Sequence, residues 1–152
     1  LGVRSGLAVF DADGVLVSYR STNFGSAARM KKAVWGILRD VDDLSRVLAE
    51  GDRQLAEAWE KTSAKFDATF RLTSAEEWRS DLLLKRERRS GRVAKKSADD
   101  LARHVIEWSG AERPTSLRHD AAEAILIGLW GALQAGWMSE EEVDAALAGR
   151  LD

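Results

Sequence analysis

The strongly apolar run from Ile125 to Trp137, opened by two carboxylates, constrains the fold of this chain most. An apolar run of this length predicts a buried helix. Asp120 and Glu123, three residues apart at its start, then share one face of its first turn. Such an acidic pair is either half of a divalent-metal site or a simple cap of the loose capping-box type. The spacing alone favours the cap, so a metal site needs support from elsewhere in the chain.

Composition limits the class of protein and the kind of metal. The chain has 152 residues, of which 45% are hydrophobic and 32% charged, which is typical of one soluble globular domain with a real core. No apolar run reaches the roughly 18 residues of a membrane span. Cysteine is absent and only two histidines occur, so any metal would have oxygen ligands, which favours Mg²⁺ or Mn²⁺. The net charge of −2 argues weakly against bulk affinity for nucleic acid.

Hydrophobic periodicity predicts strands first and strand–helix alternation after them, which indicates an α/β fold with a mixed sheet flanked by helices. Asp11 and Asp13 belong to a hairpin turn rather than to a site. Glu50 ends the most apolar strand, where open α/β sheets form their sites, and is a natural partner for the acidic pair. The predicted strands are Gly6–Phe10, Val15–Tyr19, Ser45–Gly51 and Ala68–Leu72. The first two predicted helices are Ser26–Asp40 and Gln54–Phe66, and a third helix is capped by Thr73 or Ser74. A fourth helix runs from a Ser97 cap to about Trp108, and the apolar helix and a short helix after Ser139 follow it.

A basic stretch from Lys85 to Lys96 is the predicted nucleic-acid contact, since seven of its twelve residues are lysine or arginine. The alternative is an ordinary solvated loop. A weaker patch, Arg29 with Lys31 and Lys32, is interpreted as a solvated helix face. Four tryptophans fall on apolar helix faces, and helical spacing predicts that they pack in the core or an interface; they are Trp35, Trp59, Trp108 and Trp130.

Four segments in this order resemble the RuvC family of Holliday junction resolvases, which have the ribonuclease H-like fold. Leu1–Phe10 resembles the segment that follows the family's first catalytic aspartate, and Val47–Glu50 resembles its fourth strand with the catalytic glutamate. Gly91–Ala98 resembles the Gly-x-x-Ala-x-Lys stretch, and Asp120–Ala124 resembles the Asp-Ala-Ala-Asp-Ala motif. The resemblance implies one RuvC-like nuclease domain over residues 1–152.

The resemblance also implies a site and a reaction. Glu50, Asp120 and Glu123 are then catalytic ligands of two Mg²⁺ or Mn²⁺ ions, with His119 as an auxiliary group. The expected activity is hydrolysis of four-way DNA junctions in recombination and repair by a homodimer. The residues expected to bind DNA are Arg89, Arg92, Lys95 and Lys96.

The sequence departs from the family at three points. The first catalytic aspartate would fall immediately before Leu1, and with it most of the first strand. Glu123 replaces the usual aspartate, and the aromatic that some members carry after the strand-four glutamate is replaced by Gly51–Arg53. Two alternatives stay open: an inactive or differently targeted ribonuclease H-like module that binds nucleic acid, and an α/β interaction domain without nuclease activity. The compartment is also open, either a bacterial cytoplasm or a eukaryotic organelle.

Overall fold

A computed structural model describes residues 1–147, which divide into two compact units. The first unit comprises Leu1–Ser5 and Thr22–Glu77, and the second comprises Gly6–Ser21 and, among the described residues, 78–147. A hairpin of β1 (Arg4–Phe10) and β2 (Leu16–Asn23) belongs in part to each unit.

The turn of this hairpin is built by an aspartate, as predicted. Asp11 Oδ1 accepts hydrogen bonds from the backbone N–H groups of Asp13, at 2.9 Å, and Val15, at 3.0 Å. Gly14 supplies the left-handed backbone that the turn needs, with a φ of 80°. The carboxylate of Asp11 is therefore used locally, because it accepts from backbone N–H groups of the turn.

The first unit is built around a parallel β–α–β arrangement. β3 (Arg46–Glu50) and β4 (Thr69–Thr73) pair in parallel with Glu50 opposite Thr73, and α2 (Arg53–Lys65) connects them. Two parallel strands need such a crossover, because the chain must return to the starting end of the sheet before the second strand begins. α1 (Ala27–Arg39) packs on α2 and buries Met30, Val34 and Leu38.

The second unit is helical apart from its share of the hairpin. α3 (Ala75–Leu82) enters it at Trp78, and a short 3₁₀ turn (Lys85–Glu87) leads to α4 (Gly91–Ser109). α5 (His119–Gln134) is the central helix, and Ile125, Leu126 and Trp130 on it are fully buried. α6 (Glu140–Ala146) follows with the predicted capping box between Ser139 and Glu142. The apolar run thus forms a buried helix, as predicted.

Two local predictions are wrong. α4 begins at Gly91, because the hydroxyl of Ser90, rather than Ser97, accepts from the N–H of Val93 at 3.2 Å. Ser97 lies inside α4, so the second half of the basic stretch is helical. Among the four tryptophans, Trp59 and Trp130 are buried as predicted, but Trp35 is 47% exposed and Trp108 is 40% exposed.

At the level of fold class, the α/β prediction is confirmed. The described strands form two two-stranded sheets, β1 with β2 and β3 with β4, instead of the single mixed sheet that was expected. The ribonuclease H-like arrangement and the single domain therefore stay predictions. None of the helices described is both long and apolar enough to cross a membrane.

Candidate functional site

The acidic pair on α5 does not form a capping box. The helix begins at His119, and the N-cap residue Arg118 makes no side-chain cap hydrogen bond. Asp120 lies in the first turn, and its Oδ1 accepts from the N–H of Ala121 at 2.8 Å. Glu123 follows in the next turn, and its carboxylate contacts the side chains of Arg79 and His119. The simple capping interpretation therefore accounts for one oxygen of Asp120 and for none of Glu123.

The second oxygen of Asp120 is held by a side chain from the hairpin. Ser21, near the end of β2, donates from Oγ to Asp120 Oδ2 at 3.0 Å. Gly6 of β1 lies against the same helix start so closely that a Cβ there would overlap the backbone carbonyl of Asp120. Only a glycine fits at this crossing. Strand and helix backbones in contact give the carboxylate of Asp120 a fixed position.

Glu123 is held by a guanidinium. Its Oε2 accepts from Arg79 of α3 at 2.6 Å, and the two side chains are only 18% and 21% exposed. Arg79 also lies over the ring of Trp78, with the guanidinium carbon 5.4 Å from the ring centroid. Partial burial strengthens this pair relative to a surface ion pair, since less water screens it.

His119 completes the cluster from the first position of α5. Its Nε2 lies 2.9 Å from Glu123 Oε1, although the angle is not that of a hydrogen bond. The Nε of Arg79 is also buried and has no hydrogen-bond partner among the described residues. Two carboxylates, one guanidinium and one imidazole therefore share a half-buried cluster in which two nitrogens are not fully bonded.

Glu50 lies in the first unit, at the carboxyl end of β3 as predicted. The chain turns immediately after it: Gly51 has a φ of 133°, which strongly favours glycine, and Asp52 Oδ1 caps α2 by accepting from Gln54 N at 2.7 Å. The backbone nitrogen of Leu1 donates to the carbonyl of Glu50. The start of the described chain therefore adjoins the end of β3.

The donors around the acidic pair decide how well it fits a divalent cation. A carboxylate has about four lone-pair directions, so Asp120, with two hydrogen bonds, retains room for a metal. Glu123 is different, because a guanidinium already contacts one of its oxygens. Within residues 1–147, no three His, Asp or Glu side chains form a group that could hold a metal ion. Asp120 fits a metal ligand as it stands, and Glu123 fits one only after Arg79 moves away.

The predicted DNA-binding residues lie at the start of α4 and just before it. Arg89, Arg92, Lys95 and Lys96 are all exposed. The last three follow one another at positions i, i+3 and i+4, which places them on one face of the first two turns. The structure therefore brings three of the four together as a helical surface, in the same unit as Asp120 and Glu123.

Sequence reasoning missed Ser21 and Arg79. Ser21 contacts a residue 99 positions away, and Arg79 contacts one 44 positions away. Nothing in the local pattern of a serine in a strand or an arginine in a short helix signals such a partner. Only the tertiary fold reveals that each carboxylate of the pair has its own side-chain donor.

Comparison of the chain with protein-family models, with curated proteins and with solved structures found no match. The functional interpretation therefore depends on the residues of the chain itself and on the resemblance of its motifs.

Proposed function

We propose that this protein is a metal-dependent, structure-selective endonuclease that cleaves four-way DNA junctions. The observation that carries the proposal is the environment of Asp120. Its carboxylate opens a buried helix, is oriented by Ser21 and stands where the β1 backbone contacts α5 at Gly6. Ligands that are themselves hydrogen-bonded on rigid elements are what a catalytic metal site requires.

The resemblance also assigns Glu50 as a ligand, and that assignment rests on the sequence pattern. Its immediate surroundings support it in one respect. The family's first aspartate would directly precede Leu1, and the nitrogen of Leu1 bonds to the Glu50 carbonyl. A residue at that upstream position would adjoin Glu50, as two ligands of one site should.

Glu123 enters the proposal with a condition. A guanidinium and a dication compete for the same carboxylate oxygen, so Arg79 must release Glu123 before that residue can serve as a ligand. His119 Nε2 is buried beside Glu123 without a hydrogen-bond partner among the described residues, so the same movement must expose it before it can contact a water molecule or a phosphate oxygen. When bound, two Mg²⁺ or Mn²⁺ ions would activate the attacking water and neutralise charge on the leaving oxygen.

The basic surface of α4 supports a phosphate-bearing substrate. Lysine and arginine are unfavourable in the first turns of a helix, because the helix dipole is positive there. α4 nevertheless has no acidic residue in its first turn and carries Arg92, Lys95 and Lys96 in its first two turns. Helix stability does not explain this arrangement, whereas binding of an anion does, since the dipole and the side chains then attract the same phosphates.

The second candidate is a nucleic-acid-binding module without turnover. It is favoured by the ion pair of Arg79 with Glu123, because a neutralised carboxylate is a poor metal ligand. This module would bind branched DNA through the same α4 surface and would contain Asp120 as a structural residue. The two candidates differ in catalysis alone.

The test is cleavage of a synthetic four-way junction by the full-length gene product with Mg²⁺ or Mn²⁺. We expect the wild type to introduce paired nicks, as a homodimer would, and Asp120→Asn to lose cleavage while retaining binding. Asp13→Asn is the matched control, because Asp13 is exposed in the hairpin turn and should change nothing. Equal inactivity of the wild type and Asp120→Asn, with junction binding intact, would establish the binding module instead.

A further inference from the structure

Helix α1, in the first unit, has a solvent-facing side whose charged residues are all basic. It carries four basic residues and no acidic one; they are Arg29, Lys31, Lys32 and Arg39. Met30, Val34 and Leu38 occupy the buried face. A solvated helix usually alternates charges of both signs, since pairs at i, i+4 stabilise it. α1 instead exposes cations alone.

Trp35 lies in the middle of this basic face. At 3.6 residues per turn, Lys31 and Arg39 are one turn away on either side of it, and Lys32 is three residues before it. The indole is 47% exposed, although a tryptophan usually buries most of its large apolar area. One large exposed ring is thus surrounded by three exposed cations, which we call the α1 basic–aromatic face.

The exposed ring is also held in place. The rings of Trp35 and Phe66 lie with their centroids 4.8 Å apart and their planes tilted by 32°. Phe66 follows the end of α2, which packs on α1. Because the Trp35 ring is already held by Phe66, its side chain loses little entropy when a ligand binds. Such a ring can serve as a platform on which a base stacks.

The geometry points to single-stranded DNA as the ligand of the α1 basic–aromatic face, with an unpaired base stacked on Trp35 and phosphates paired with Lys31 and Lys32. In a single strand, successive phosphates can pair with neighbouring cations while an unpaired base stacks on the aromatic ring between them. A duplex would leave the indole unused, because its bases are stacked inside. The choice of DNA rather than RNA rests on the proposed function, whose substrate is DNA.

Charge also argues against a second copy of this chain on the same face. A two-fold axis at α1 would bring the cations of one copy against those of the other, and like charges repel. Arg39 lies 3.7 Å from Asp40, and both side chains are mostly exposed. Asp40, Asp42 and Asp43 follow the helix, and their negative charges would repel phosphates. We therefore place the DNA strand over Lys31, Lys32 and Trp35 rather than beyond Arg39.

The experiment measures binding of a fluorescein-labelled 16-nucleotide poly(dT) strand without divalent metal, so no cleavage is needed. We expect Trp35→Ala to raise the Kd about 5- to 150-fold, the effect of losing one base stack. Trp35→Phe should retain most of the affinity, because it keeps a ring against Phe66. Lys31→Gln with Lys32→Gln should flatten the dependence of log K on log salt by about 1.4, at about 0.7 per cation on single strands.

Trp108→Ala is the matched control, since Trp108 is 40% exposed on α4 and its neighbour one turn back is His104 rather than a lysine or an arginine. It should bind poly(dT) as the wild type does. The proposal is overturned if Trp35→Ala and Trp108→Ala bind alike, or if Trp35→Ala weakens a 16-base-pair duplex as much as the single strand. It is also overturned if sedimentation shows that Trp35→Ala only dissociates a dimer, or if oligo(U) binds more tightly than poly(dT). Failure of the nuclease proposal appears separately, as a wild type that binds the four-way junction but does not cleave it with Mg²⁺ or Mn²⁺.

Discussion

Ser21 on β2 donates a hydrogen bond of 3.0 Å to Asp120 on α5, across 99 residues of sequence. The bond fixes one carboxylate oxygen of Asp120, while the N–H of Ala121 fixes the other. Gly6, on the adjacent strand, lets the hairpin backbone touch the start of α5. The orientation of the proposed metal ligand is therefore set by the hairpin and not by the helix alone.

Ser21→Ala should weaken metal binding more than it weakens the fold. Loss of one hydrogen bond to a carboxylate costs about 0.5–3 kcal/mol of unfolding free energy. Loss of the partner that orients a ligand typically lowers metal affinity about 10- to 100-fold. Calorimetric titration with Mn²⁺ measures the affinity, and urea unfolding measures the stability. Ser18→Ala, an exposed serine of the same strand, is the control. Equal Mn²⁺ affinities for the two variants would contradict the role assigned to Ser21.

Arg79→Gln should destabilise the fold and strengthen metal binding. The change leaves Glu123 partly buried without its cation, which costs about 1–3 kcal/mol. It also removes the competitor for the Glu123 carboxylate, so Mg²⁺ should raise the melting temperature of the variant more than that of the wild type. The control is Arg71→Gln, which breaks the more exposed pair of Arg71 with Glu77, whose atoms are 3.1 Å apart, and should cost about 1 kcal/mol or less. A smaller Mg²⁺ effect in Arg79→Gln would remove Glu123 from the ligand set.

The parts of the fold that follow from local physics could be predicted from the sequence. The amphipathic spacing of Met30, Val34 and Leu38 located α1, and the Ser139–Glu142 pattern located the start of α6. The start of α4 could not be chosen correctly, because Ser90 and Ser97 are both followed by helix-compatible sequence. Only Ser90 satisfies a first-turn N–H, that of Val93.

The unpredicted features depend on contacts between distant segments. Trp35 has the helical spacing of a core residue, yet its position at the border of the buried face leaves it against Phe66 and solvent. The partners of the acidic pair, Ser21 and Arg79, were invisible for the same reason. Pairing between strands is likewise a long-range property, and the sequence periodicity that located the four strands could not show that they form two sheets.

Gly6→Ala should damage the fold at the site itself. A Cβ at this position overlaps the Asp120 carbonyl and would lie 2.7 Å from the Ala121 nitrogen, so backbone must shift. Overpacking of this kind costs about 1–3 kcal/mol or more, and the shift should also reduce Mn²⁺ affinity. Gly91→Ala is the control, because nothing lies within 4 Å of a Cβ there and alanine favours a helix by roughly 0.5–1 kcal/mol. Urea unfolding that ranks the two variants equally stable would contradict the close approach.

Lys95→Ala with Lys96→Ala should weaken junction binding and flatten its salt dependence. Each cation that contacts a duplex phosphate contributes about 0.9 to the slope of log K against log salt, so the double variant should lose up to about 1.8. Lys61→Ala with Lys65→Ala is the control, since α2 also carries Glu57, which lies 3.8 Å from Lys61. Fluorescence anisotropy at several salt concentrations measures both slopes. An unchanged slope for Lys95→Ala with Lys96→Ala would remove the start of α4 from the DNA surface.

Tyr19 gives a pH-dependent test of the second unit, because it is the only tyrosine in the chain. Burial raises its pKa above the ordinary 10.0, the negative charge of Glu112 raises it further, and Arg103 lowers it. The hydroxyl also donates to the backbone carbonyl of Glu112. Because the folded pKa exceeds the unfolded one, the stabilising contribution is complete below about pH 10 and is lost as pH rises through the folded pKa.

Absorbance at 295 nm should therefore show tyrosinate forming above pH 10 in the folded protein and near pH 10 in concentrated urea. Glu112→Gln should lower the folded midpoint but leave it above that of the unfolded chain, since burial is the larger cause. Tyr19→Phe should lose less stability than the wild type between neutral pH and strongly alkaline pH. A folded midpoint equal to that in urea would mean that Tyr19 is as solvated as in the unfolded chain, and that its contact with Glu112 does not form.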